Sequence, residues 1–227
     1  MMSEFHLRRE VVAVGRRLAA ARLVAATDGN ISARLPGRRV LVTPAGSSLG
    51  ELREDELIVV PAEEAWLPSR AEIGRLPARR RPTSELPMHL CAYAERPDIG
   101  AIVHAHPPTV TAFTIAGFPL DRPVLPEVLL SIGPVPVAPY ATPATEEGAI
   151  CIRELIRAHD VIALDRHGAI AVGRDPLDGF RKLEKLEQAA EILWKAHLMG
   201  SVRTLPPEEV ARLEGIRERA SPQNARL

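Results

Sequence analysis

Ala101-Ile-Val-His-Ala-His-Pro-Pro108 is the stretch around which the rest of the chain can be ordered. Its β-branched residues and small alanines read as a buried strand, and the two prolines end that strand and open a helix. In a strand, residues i and i+2 share a face, with Cα atoms about 6.5 Å apart. His104 and His106 can therefore turn both imidazoles toward one ion at about 2.0–2.1 Å, while Ala105 points the other way into packing. Pro107 places the pair at the strand's end, where sites in α/β proteins gather. The competing reading is two polar side chains at a strand terminus, solvated or bonded to backbone.

Outward from this strand, periodicities alternate along the chain. Residues 4–25 carry Val11, Val14, Leu18 and Ala21 at helical spacing. The turn-rich run Thr27-Asp-Gly-Asn-Ile-Ser32 ends that helix, and strands follow over 31–35 and 39–43, joined by Pro36-Gly37. Leu57–Val60 reads as another strand, and 61–81 as a hairpin and exposed connection. Pro82-Thr-Ser-Glu85 opens a helix to about residue 96, with Thr83 or Ser84 as cap and Pro82 in its first turn. A helix over 107–116 follows, then 125–132 stands ambiguous between helix and loop. Strands are expected at 135–138, 161–164 and 169–172, and helices at 145–159, 176–199 and from about Pro206. The alternation predicts one α/β domain over 1–227, with a core of about 5–200, a C-terminal helix and tail, and helices on both faces of a sheet.

Composition narrows the function classes. The 227 residues are 46% hydrophobic, which is enough to build a core without a disulfide. A formal net charge of +0 supplies no field for nucleic acid or an anionic membrane. No apolar run reaches a spanning length and the N-terminus lacks a signal-peptide pattern, so a cytoplasmic protein is expected. Cys91 and Cys151 form no CxxC pair and read as buried free thiols in helices. Arg79-Arg-Arg81 reads as a solvated charge run without neighbouring aromatics for base stacking.

His167, in Leu164-Asp-Arg-His-Gly168, sits at a second strand end. Alone it reads as a turn or core histidine; with the first pair it completes a three-ligand site with an open position, as catalytic zinc needs. His6, His89, His159 and His197 lie in helical stretches among mixed residues and read as partly exposed or capping. Glu85 reads either as an acid favoured at a helix N-terminus or as a carboxylate beside the metal.

Taken together, Gly29-Asn-Ile-Ser32, Thr43-Pro-Ala-Gly46, Thr83-Ser-Glu85, His104-Ala-His106 and Arg166-His-Gly168 resemble the class II aldolase/adducin family over roughly residues 5–200. The resemblance implies an α/β/α sandwich around a mixed central sheet, assembled as a homotetramer with sites at subunit interfaces. It implies zinc, or another divalent ion such as manganese or cobalt, held by His104, His106 and His167, with Glu85 as acid/base and possible fourth ligand. It implies that Asn30, Ala45, Gly46, Thr83 and Ser84 surround the phosphate of a small sugar phosphate. The chemistry agrees: a metal acting as Lewis acid stabilises the enediolate of a ketose, and a carboxylate beside it moves the proton. The alternative aldolase chemistry needs a Schiff-base lysine, and Lys182, Lys185 and Lys195 all fall on the polar side of one late helix. Aldol cleavage leads, with epimerisation, dehydration or decarboxylation as alternatives at the same site.

The chain departs from the family pattern at three places. Ala45 stands where aldolases often carry a hydroxyl residue. Asp28 precedes Gly29 where phosphate-binding members carry a small neutral residue, and a carboxylate there repels a phosphate unless it points away. The segment Leu125-Pro-Glu-Val128 and the tail lack the tyrosines of the aldolases, and Glu127 falls where the resemblance puts an acidic catalytic residue in dehydratase and epimerase members; it reads as a second acid/base or as a helix-starting acid. Two rivals remain. Gly46-Ser-Ser-Leu-Gly50 matches a nucleophile elbow with Ser48 as nucleophile, although the charged segment after it is a poor elbow helix. A non-catalytic scaffold is the other, set against the retention of all three histidines.

Overall fold

The computed structural model describes residues 3–63, 70–77 and 80–220. The N-terminal period folds as α1 (Glu4–Ala20), with the Ser3 side chain accepting the His6 backbone N–H. The helix stops short of residue 25 because Arg22 turns to φ +57 and the Leu23 N–H returns to the Leu18 carbonyl. β1 (Asn30–Leu35) and β2 (Arg39–Val42) make the expected hairpin, and β3 (Ile58–Pro61) pairs with β2.

Two expectations are corrected in the following segment. The region read as a hairpin and exposed connection carries a short helix, α2 (Arg70–Arg75), built of Arg, Ala, Glu and Ile that favour helix when no partner strand is offered. Residues 64–69 and 78–79, with Arg79 of the basic run, lie outside the described residues; the Arg81 guanidinium folds back onto the Gly74 and Leu76 carbonyls. The next helix, α3 (Leu86–Glu95), starts later than expected, and neither Thr83 nor Ser84 is its cap. Pro82 instead forms a bridge with Pro44, flanked by Ala45 N–H to Arg81 O and Thr83 N–H to Thr43 O. That long-range pairing keeps 81–83 extended, and Pro87 takes the first-turn place where a missing N–H costs nothing.

β4 (Ala101–Ala105) leads into α4 (Pro108–Ala116), and the ambiguous segment resolves as helix α5 (Pro126–Ser131). There follow β5 (Val137–Ala138), α6 (Glu147–Ile156), β6 (Val161–Leu164), β7 (Gly168–Gly173), α7 (Pro176–Met199) and α8 (Pro207–Ala220). The boundaries of α7 fall where its signals put them: Asp175 caps the Asp178 N–H, Pro176 opens the first turn and Gly200 ends the run.

The seven strands form one sheet in the order β3-β2-β1-β4-β7-β6-β5. Among the described residues only the β5–β6 pair is parallel, so the sheet is mixed. The pleat sorts side chains into two clusters. Ile31, Ala101, Val103, Ala105 and Ala171 pack with Leu18 of α1, Phe113 of α4 and Leu183 of α7. Ile102, Ile170 and Val172 pack on the opposite face with Leu86 and Leu90 of α3 and Ile152 and Ile156 of α6. This is the expected α/β/α sandwich. Each fully buried Ile or Leu contributes about 1.5–3 kcal/mol, so both layers are held by hydrocarbon and not by an ion.

Candidate metal centre

β4 sits between β1 and β7, and its register sets Asn30 opposite His104 on one side and Ile170 on the other. His104 is fully buried on the α3 face, and its Nδ1 lies 3.0 Å from the Ala169 carbonyl oxygen. His106 falls just past the ladder, where its N–H donates to the Leu23 carbonyl across 2.8 Å. His167 belongs to the turn from β6 into β7, which Arg166 makes possible at φ +58. The Arg166 N–H donates to Thr114 Oγ1 of α4, which fastens that turn to the opposite layer. Gly168 is needed for a steric reason: a Cβ there would collide with the Ala105 carbonyl and press on the His106 ring.

These placements bring ligand atoms of His104, His106 and His167 within 4.8 Å of one another. The Nε2 atoms of His104 and His106 are 3.1 Å apart. Two nitrogens held at zinc-bond lengths in a tetrahedral arrangement would be about 3.4 Å apart, close to that separation. Glu85 completes the cluster from the start of α3, with Oε2 at 2.9 Å from His104 Nε2 and Oε1 at 3.3 Å from His167 Nε2. If His104 Nδ1–H donates to Ala169, its Nε2 lone pair faces both a carboxylate oxygen and another imidazole nitrogen. A proton relieves one of those contacts; a divalent cation relieves all of them. The donor set therefore fits a metal.

Electrostatics point the same way. Burial disfavours the Glu85 carboxylate, yet His104, His167 and the Asn30 amide together hold it well below the usual carboxylate range. Burial lowers His104 too, but Glu85 outweighs it and the net shift is upward. Burial and the charge on His104 push His106 down and His167 down to about 4, so both favour the neutral form that binds metals. A small recess of about 20 Å³ adjoins Glu85 and His167 and is lined also by Thr142, Thr145, Cys151 and Asp165. That is space for about one water, so it marks a dent beside the histidines rather than a finished pocket.

The sequence profile of the Class II Aldolase and Adducin N-terminal domain matches residues 9–194. The chain belongs to the class II aldolase and adducin family. It is similar to the 5-deoxy-D-ribulose 1-phosphate aldolase of Bacillus thuringiensis, with 31% identity over 209 residues, 91% of this chain and 92% of that protein. It is equally similar to the 3-oxo-tetronate 4-phosphate decarboxylase of Haemophilus influenzae, with 31% identity over 94% of this chain and 98% of that protein. Among solved structures, YgbL from Klebsiella pneumoniae superposes with a TM-score of 0.82 at 29% identity, covering 94% of this chain and all of that one. This class II aldolase-family member is accordingly a lyase.

The remaining sequence candidates scatter in instructive ways. The Pro44–Pro82 bridge brings the Ala45-Gly46 turn beside Thr83 and Ser84 from distant parts of the chain, with Gly46 at φ +69. Asn30 is 5% exposed, and its side chain is engaged by Glu85 and His89. Asp28 turns toward the histidines: its carboxylate lies 3.4 Å from His106 Nδ1, the nitrogen facing away from His104. Glu127 is exposed on α5, and no hydrogen bond or ion pair among the described residues joins its carboxylate to the histidines. Ser48 lies in a turn that leads to a short 3-10 segment (Glu54–Glu56), so no elbow helix follows it. Cys91 is buried as expected, whereas Cys151 is half-buried in the recess wall. Lys182 is held by Asp160 and the Val172 carbonyl.

One reading of a histidine is overturned. His89, which its mixed helical surroundings predict to be partly exposed or capping, is fully buried within a polar chain that ends on Glu85. Tyr93 Oη lies 2.9 Å from Ser32 Oγ, which lies 2.7 Å from His89 Nδ1; His89 Nε2 lies 2.6 Å from Asn30 Oδ1. The Asn30 amide then donates to Glu85 Oε2 across 3.0 Å. The signal was present in the sequence: Glu85, His89 and Tyr93 recur every four residues, which places them on one stripe of a helix.

Proposed function

We propose that this chain is a divalent-metal-dependent aldolase, with zinc its metal and manganese or cobalt as substitutes, which cleaves a small ketose 1-phosphate. The observation that carries the reading is the convergence of three imidazoles and one carboxylate at a single point beside an open recess. His104, His106 and His167 would hold the ion. Bound there, it supplies Lewis-acid stabilisation for negative charge on the oxygens of a hydroxy-ketone.

Glu85 is the proton carrier. Its carboxylate is kept ionised by its neighbours, so it can accept a proton from substrate and return it to carbon as the bond breaks. The Ala45-Gly46 turn with Thr83 and Ser84 forms the anchor for the phosphate, and Asn30 bridges that side of the site to Glu85. Asp28 is turned toward His106, where a cation held by the three histidines would offset its charge. We read the chain as a single catalytic domain that assembles as a homotetramer, with Glu127 acting as second acid/base toward a neighbouring copy.

Decarboxylation of a 3-oxo acid phosphate is the second reading. It is favoured by the similarity to the Haemophilus influenzae relative. The zinc-loaded protein should be offered ketose 1-phosphates, their unphosphorylated analogues and a 3-oxo acid phosphate, with dihydroxyacetone phosphate and carbon dioxide measured separately. Dihydroxyacetone phosphate from the ketoses supports aldol cleavage. Carbon dioxide released together with a ketone phosphate from the 3-oxo acid phosphate, with no dihydroxyacetone phosphate from the ketoses, selects the second reading. Turnover that survives complete removal of metal would sink both.

A further inference from the structure

The buried polar chain behind Glu85 is larger than an N-terminal helical acid requires, and its hydrogen bonds run one way. An ionised Glu85 only accepts, so the Asn30 group 3.0 Å from Oε2 is its NH2. That turns Asn30 Oδ1 to His89, whose Nε2 must then carry a proton to donate across 2.6 Å. His89 Nδ1 is left as an acceptor, which makes Ser32 the donor across 2.7 Å and leaves Ser32 Oγ to accept from the Tyr93 hydroxyl. The four residues come from β1 and α3, and each is at most 5% exposed, so no water competes for these bonds. A neutral His89 satisfies every partner, and burial with the nearby charge on His104 lowers its pKa to about 3.

We propose that His89 is a positioning residue for the lyase reaction: its Nε2–H fixes the orientation of the Asn30 amide, which in turn holds the Glu85 carboxylate in the place it needs to move protons. The inference rests on the proposed role of Glu85. Among the described residues the hydrogen bonds of the His89 ring go to Ser32 and Asn30 and none to the three histidines, and His89 does not line the recess. His89 therefore acts through Asn30 and Glu85, and its loss is expected to fall on turnover more than on metal or substrate affinity, since the three histidines and the Ala45-Gly46 turn keep their places. The apolar environment makes each bond in the chain stronger and each lost partner costlier than in water.

The test uses the full chain, zinc-loaded, with deuterium exchange from D2O into dihydroxyacetone phosphate as the probe. His89→Leu removes both imidazole contacts; His89→Gln keeps an amide N–H where Nε2 stood. The expected result for His89→Leu is unchanged zinc stoichiometry, an unchanged KM, and a kcat for exchange lower by about 10–100-fold, the usual scale for a supporting residue. His89→Gln should recover most of that loss, which a merely space-filling role would not allow. Exchange by His89→Leu within twofold of the parent, or equal losses in both variants, overturns the proposal. Imidazole 15N spectra of the metal-free parent supply an arm that needs neither substrate nor variant. His89 protonated at Nε2 alone supports it; an Nδ1–H tautomer overturns it. If the parent exchanges no deuterium, the aldolase reading fails while the placement of His89 is still decided by the spectra.

Discussion

Two carboxylates reach the same three imidazoles, and their surroundings give them different tasks. Glu85 faces the inner nitrogens and is nearly enclosed; Asp28 touches the outer nitrogen of His106 and is half exposed. An outer carboxylate holds a ligand ring in the tautomer that directs its lone pair inward, and losing one commonly weakens metal binding by about 10–100-fold. Asp28→Ala is expected to lower zinc affinity on that scale, measured by competition with a chromophoric chelator, with Asp28→Asn intermediate. Glu85→Gln should bind zinc yet lose about 10²–10⁴ in kcat, the usual contribution of a positioned acid/base. His89 adds a pH signature to folding. Its folded pKa of about 3 lies below the value of about 6.5 expected when unfolded, so the unfolded chain binds the extra proton first. Its contribution to stability is whole above pH about 6.5 and is lost as pH falls toward 3; urea titrations should show a shallower acid slope for His89→Gln. At this scale the sequence was most legible where spacing reports direction. His104 and His106 share a strand face by their separation of two, and His167 became readable only in their company. His89 was missed because its helix was judged by its mixed composition and not by the four-residue step from Glu85.

Elements position the site through close backbone approach. Gly168 opens β7 where β7 meets the end of β4, and the space a side chain would need is already filled by the Ala105 carbonyl and His106. Gly168→Ala must push the strands apart or displace His106, at a cost of about 1–3 kcal/mol. It should lower both the melting temperature and the zinc affinity, whereas Gly74→Ala, in open space on α2, should leave zinc affinity unchanged. Glu187 of α7 shows how a second layer supports the same strand end. Its carboxylate accepts the Thr109 and Val110 N–H groups at the start of α4, directly after the histidine pair. Local signals sufficed for such pieces as α7, whose cap, proline and glycine are all within its own sequence. They failed at α3, because the bridge between Pro44 and Pro82 joins residues far apart in the chain and no local propensity reports it.

The whole molecule leaves apolar surface at the C-terminal ends of two helices that pack together. Ile115 of α4 and Leu198 of α7 are 55% and 71% exposed, Trp194 lies one turn before Leu198, and Phe118 meets the His197 ring. A homotetramer would cover such surface, and sedimentation velocity should return a tetramer for the parent and smaller species for a Trp194→Glu, Leu198→Glu double variant. The tetramer is expected only through the family resemblance, since exposure belongs to the folded surface and not to periodicity. The alternating clusters on the two faces of β4 have a further, evolutionary consequence. Ala101, Val103 and Ala105 serve one layer while Ile102 and His104 face the other, so inserting or deleting a single residue in this strand would invert all of them together. Descendants of this chain can drift in loops and change substrates by point substitution, but the histidine pair cannot shift register without unmaking the core that carries it.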